Sequence, residues 1–149
     1  MKAPIRIVGI GSPHGGDRAG WEYVEALQRS RLLEHFPAGM ISMHQARTPV
    51  NLFELLKDCQ HAIIIDAIPG TVGQVTCLDI ADLENQANQY SVHGVGVAEA
   101  LELLNTLMNP APKSTIFAIG IDPAQGETSD TEIHPATVSR LAELIGQRI

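Results

Sequence analysis

The run Ala62-Ile63-Ile64-Ile65 constrains the fold more than any other segment of this chain. Four consecutive apolar residues, three of them β-branched and closed by Asp66, describe a strand covered on both faces, because a half-exposed strand would alternate. A sheet buried on both sides needs helices above and below it, and the flanking sequence supplies them. Ile5–Gly9 is a second short apolar run, ending in glycine. Ala19–Leu32 places Trp21, Val24, Leu27 and Leu32 close to the spacing of one helix face. Gly39–His44 reads as an edge-like strand, and Asn51–Cys59 as a helix through Leu52, Leu55 and Leu56. After a turn at Pro69-Gly70, Gly73–Asp79 follows too soon for a crossover helix, so it is expected to run antiparallel at an edge. Gly96–Met108 is a helix with Val97, Leu101, Leu104 and Leu107 on one side, ended by Pro110-Ala111-Pro112. Ser114–Ile121 is a further buried strand, Asp122–Glu132 is polar and irregular, and a last helix spans Pro135–Gln147. The expected architecture is α/β: a three-layer sandwich whose twisted, mostly parallel five-stranded sheet, with one antiparallel edge strand, lies between helices. No repeat, linker or low-complexity tract interrupts the 149 residues, so 1–149 is expected to form a single domain.

Composition narrows the partners. Ten basic against seventeen acidic residues give a net charge of -7, which argues against nucleic acid or an anionic membrane surface. No apolar run reaches the roughly 20 residues that span a bilayer. The first eight residues read as a strand and not as a signal peptide, so a cytoplasmic location is expected. Two cysteines, Cys59 and Cys77, are too few for a disulfide framework and lack metal-type spacing; both are expected to be small, mostly buried thiols.

Chemistry-bearing residues gather where the strands stop. Asp17 follows the first strand in the loop Gly11-Ser12-Pro13-His14-Gly15-Gly16-Asp17, Asp66 closes the third, and His93 lies in the loop Ser91-Val92-His93-Gly94. Loops beyond strand ends are where open α/β sheets collect ligand groups. Two carboxylates and an imidazole suit a divalent transition metal of intermediate softness. Each has a plainer reading beside this one. Asp17 can cap the helix that begins near Arg18, Asp66 can be satisfied by turn amides, and His93 can be an ordinary helix-start residue with Ser91 as cap. The glycine loop also invites a dinucleotide reading. Against that, Asp17 would meet the pyrophosphate at the helix N-terminus, and the second strand has no acid to bind a ribose. Of the other histidines, His14 and His44 could face the cleft, whereas His35, His61 and His134 look superficial. There is no Gly-x-Ser-x-Gly, and neither cysteine sits where a nucleophile would.

Four blocks, Ile7–Gly20, Ile63–Ala67, Ser91–Gly96 and Ala118–Pro123, resemble in order and spacing those of the [NiFe]-hydrogenase maturation proteases. The resemblance covers almost the whole chain. It implies an endopeptidase that removes the C-terminal extension of a [NiFe]-hydrogenase large-subunit precursor after nickel insertion, with Asp17, Asp66 and His93 as the residues that contact the metal and serve cleavage. Nickel would come with the substrate and would not be permanently bound. The family's first loop usually carries two adjacent acids; here Gly16-Asp17-Arg18 leaves one, and alignment backwards from the helix makes it the metal-contacting acid. The segment His44-Gln45-Ala46-Arg47-Thr48-Pro49 is similar to a variant found in members that serve soluble, cofactor-reducing hydrogenases. The alternative is a non-catalytic nickel- or nucleotide-binding α/β domain.

Overall fold

β-Branched and other apolar residues build five strands: β1 (Ile5–Ile10), β2 (Ile41–Ala46), β3 (His61–Pro69), β4 (Val75–Leu78) and β5 (Lys113–Ile121). They hydrogen-bond in the order β2-β1-β3-β5-β4. All pairs are parallel except β4 with β5, which is antiparallel as the short Pro69–Gly73 connection requires. The computed structural model describes residues 3–11, 18–79, 92–122 and 133–149, with the side chains of residues 49 and 92–96 outside that description.

Strand alternation sorts the core into two layers. Val8, Ile10, Ala62, Ile64, Ile116 and Ala118 face helices α2 (Pro49–Leu56) and α3 (Val92–Leu107). Ile5, Ile7, Ile63, Ile65, Phe117 and Ile119 face α1 (Ala19–Ser30) and α4 (Pro135–Arg148). Each fully buried Leu, Ile or Phe contributes about 1.5–3 kcal/mol of transfer free energy. This is the expected α/β sandwich with a mixed sheet.

Several boundaries differ from those expected. β3 does not stop at Asp66 but continues to Pro69, because β5 pairs with it residue for residue as far as Pro69↔Ile121. Asp66 is therefore inside a strand and not beyond one. α3 begins at Val92, not Gly96, so His93 belongs to its first turn and not to a loop. Gly94 and Gly96 each cost about 1 kcal/mol in a helix interior; burial of Val97, Ala98, Leu101 and Leu104 on the sheet outweighs this. β2 runs Ile41–Ala46, two residues later than Gly39–His44, and α2 ends at Leu56. Leu32 and Leu107 are exposed: the first lies past the end of α1, the second in the last turn of α3. His61, expected at the surface, is buried, and Cys77, expected inside, is exposed on β4, while Cys59 is buried. The polar segment 123–132 lies outside the described residues.

α1 sits unusually close to β1. A Cβ on Gly9 would collide with the Gly20 carbonyl and Val24, and one on Gly20 would collide with the Ile10 carbonyl. Two facing glycines thus let the first turn of α1 lie directly on the C-terminal end of β1, which fixes both ends of the loop between them.

Candidate functional site

The C-terminal edge of the parallel strands is built from the ends of β1, β2 and β3. Asp66 lies on β3 opposite Ala118 and is 7% exposed. It has the parity of Ala62 and Ile64, so its carboxylate belongs to the α2/α3 face. A carboxylate this buried needs partners. The Ala67 backbone N–H donates to Asp66 Oδ1 at 2.8 Å, which orients the group at the strand's upper half.

His93 reaches the same face from a different direction. α3 packs Val97, Leu101 and Leu104 against this layer and then leads through Met108–Pro112 into the start of β5. Its C-terminus is therefore at the lower edge of the sheet. A 16-residue helix is about 24 Å long, so its first turn stands at the upper edge, where Asp66 lies. The backbone thus brings positions 66 and 93 to one edge and one face, although 27 residues separate them in sequence; the imidazole itself is outside the described side chains. Asp17, with His14 and the proposed cap, lies outside the described residues. The flanking positions are Gly11, whose N–H donates to the Ala46 carbonyl at 3.1 Å, and Arg18, which occupies the N-cap position of α1 without a side-chain cap bond. Among the described residues no three His, Cys, Asp or Glu side chains form a metal-holding cluster.

Trp21, read from sequence as a helix-face residue, and Arg47, which has no role of its own in that reading, shape the rim of this edge. The Trp21 Nε1–H also donates to the Ala46 carbonyl, at 3.0 Å, and the Arg47 guanidinium lies 5.2 Å from the Trp21 ring centroid. The cation–π contact holds a positive charge at the end of β2. The start of α2 is fixed beside it. Thr48 Oγ1 accepts from the Asn51 N–H, and Asn51 Oδ1 accepts from the Arg47 N–H, a reciprocal cap. A Thr followed three residues later by Asn is the signal that sequence offers for it.

The other histidines are elsewhere. His44 is midway along β2, its Nε2 is 2.7 Å from Ser42 Oγ, and burial together with Arg6 holds its pKa below the usual value. His61 opens β3 at the lower edge of the sheet, with Nε2 2.9 Å from Thr115 Oγ1; burial, then Lys113 and Arg148, lower its pKa. Neither stands beside Asp66. Cys59 is also remote, and burial raises its thiol pKa, which makes it an inert core thiol. No described helix is long and apolar enough to cross a membrane.

Comparison with known proteins agrees with this architecture. The family model described as HycI, hydrogenase maturation protease, matches residues 23–148, a span that includes positions 66 and 93 and begins after position 17. The chain is similar to the solved structure of the hydrogenase maturating endopeptidase HybD from Escherichia coli, with 24% identity over 99% of this chain and 89% of that one, at a TM-score of 0.64. It is similar to the [NiFe] hydrogenase maturation protease HybD from Thermococcus kodakarensis, with 20% identity over 99% of both chains and a TM-score of 0.65. The maturation protease HycI from Thermococcus kodakarensis is 21% identical over 98% of this chain and 92% of its own, at a TM-score of 0.62. No curated protein sequence matches. The structural likenesses, all under 25% identity, concern the fold; the family model, which matches most of the sequence, places this chain in the hydrogenase maturation protease family.

Proposed function

We propose that this chain is an endopeptidase that removes the C-terminal extension of a [NiFe]-hydrogenase large-subunit precursor once nickel has been inserted. One observation carries the reading: a buried, amide-oriented Asp66 shares its sheet edge and face with the helix turn that bears His93. Asp17, which lies in sequence between the end of β1 and the start of α1, is the third residue of the proposed set. Two carboxylates and an imidazole form a hard-to-intermediate donor set that complements nickel already held by thiolates in the substrate. The metal is then cargo of the precursor, and its presence is what the three residues recognise. Asp66 is held in a strand and not on a loop, so its carboxylate is prepositioned for that encounter.

The experiment is processing of the nickel-loaded precursor by the purified chain, with the nickel-free precursor as control. Cleavage of the loaded form alone is expected. Cleavage of both would remove nickel recognition from the reading, and cleavage of neither, with folded protein and authentic precursor, would remove the endopeptidase reading.

A further inference from the structure

β2 is an edge strand of the described sheet, and no described strand pairs with its outer side. The Ile5 N–H donates to the Met40 carbonyl and the Gly11 N–H to the Ala46 carbonyl. In a parallel pair this fixes the alternation: positions 42, 44 and 46 turn their backbone groups to β1, and Ile41, Met43 and Gln45 turn theirs outward. Among the described residues nothing pairs with those outward groups. The strand also lacks the lysines, prolines or bulges that usually blunt an edge. Beside it lies a groove of about 620 Å³, lined by Leu33, Phe36, Ile41 and Met43 among others. Its charges, Arg31 and Glu34, neutralise each other at 3.6 Å. At the top of the edge Arg47 is held over Trp21 and has no carboxylate partner among the described residues.

We infer that the outer edge of β2 docks the substrate's C-terminal extension as an added strand, an inference that rests on the endopeptidase reading above. Extended peptide is what a row of unpaired N–H and C=O groups recognises, and the groove takes alternate apolar side chains. The edge is continuous with the candidate site, since Ala46, its last residue, bonds both Gly11 and Trp21. From β3 across β1 to a lane outside β2 is three strand spacings, about 14 Å, or four to five extended residues. The extension enters at Arg47 and runs down toward Ile41, antiparallel to β2, because the scissile bond is at the upper edge. Arg47 is a cation without a carboxylate partner among the described residues, in a chain of net charge -7, and it fits an acidic group of the extension near that entry.

A labelled synthetic peptide of the extension, and a set bearing single N-methylated amides, are titrated against the full chain while processing of the nickel-loaded precursor is followed in parallel. Strand addition gives an alternating pattern: methylation at every second position weakens binding roughly tenfold or more, and positions between are tolerated. Met43→Pro removes one outward N–H and leaves the ladder to β1 intact. It is expected to raise KM for the precursor roughly tenfold with kcat within about twofold, and Arg47→Glu, a surface change, is expected to act in the same direction. Uniform tolerance of methylation overturns the inference, as does an unchanged KM in Arg47→Glu and a folded Met43→Pro. A dimer formed through β2 that excludes the peptide also overturns it. Alternating peptide binding without any cleavage would keep this docking edge and remove the endopeptidase reading; cleavage without the pattern would do the reverse.

Discussion

Gly9 on β1 and Gly20 on α1 face each other where helix crosses strand, and neither has room for a Cβ. The obstacle is backbone carbonyl in both cases, which cannot rotate away as a side chain could. Gly20→Ala is expected to cost about 3 kcal/mol, the upper range of overpacking effects, and to lower processing with it, since this contact sets the end of β1 against the start of α1, the two elements between which Asp17 lies in sequence. Gly146 in α4 has open space around its Cα, so Gly146→Ala is expected to stabilise by about 0.5–1 kcal/mol. Urea midpoints of the two variants should move in opposite directions.

Asp66→Asn keeps the size of the side chain and an acceptor for the Ala67 N–H. It removes the charge. Processing of the loaded precursor is expected to fall by roughly a hundredfold or more, with thermal unfolding nearly unchanged. His93→Ala is expected to behave likewise. Full activity in either variant would end the assignment of these residues to the site.

His61 makes stability depend on pH. Burial, with Lys113 and Arg148, holds its folded pKa below the ordinary 6.5. Between the two values the unfolded chain binds more protons, so stability rises with pH through that window. The contribution is complete above about 6.5 and is lost as pH falls toward the folded value. His44 acts in the same sense. The urea midpoint is expected to drop on acidification below neutrality, and His61→Gln, which can still meet Thr115, should flatten that drop.

Arg6 is 3% exposed and bonds three carbonyls: Nε to Ala3 at 3.2 Å, and Nη1 to Leu55 at 2.9 Å and to Lys57 at 2.5 Å. Its Nη2 has no partner among the described residues. The cation lies at the C-terminal end of α2, where the helix dipole favours positive charge. Arg6→Met leaves those carbonyls without donors and is expected to cost roughly 3 kcal/mol in urea unfolding. Arg6→Lys should recover only part, because one ammonium nitrogen can replace Nη1 at Leu55 and Lys57 but leaves the Ala3 carbonyl without the donor that Nε supplies. A Met variant as stable as the parent would mean that the orphaned Nη2 costs as much as the three bonds supply.

The strand at Ala62–Ile65 was legible because continuous β-branched runs have few other stable uses, and the antiparallel β4 because Pro69–Gly73 is too short for a crossover. Burial of His61 was not legible: a polar residue at the edge of an apolar run gives no sign of the Thr115 hydroxyl that awaits it 54 residues later. The rim formed by Trp21 and Arg47 was invisible for the same reason, since it depends on a carbonyl of β2 meeting a ring from α1.

By itself the sequence determined the layers, the alternation of strands and helices, and the residue types able to meet a metal, because periodicity and chain length are local properties. Tertiary structure alone decided that Asp66 lies within a strand, that α3 starts early enough to carry position 93 to the same edge, and that β2 stands at the edge of the described sheet. Each of these follows from pairing or packing between distant segments, whose free energy outweighs local preference and leaves no local trace.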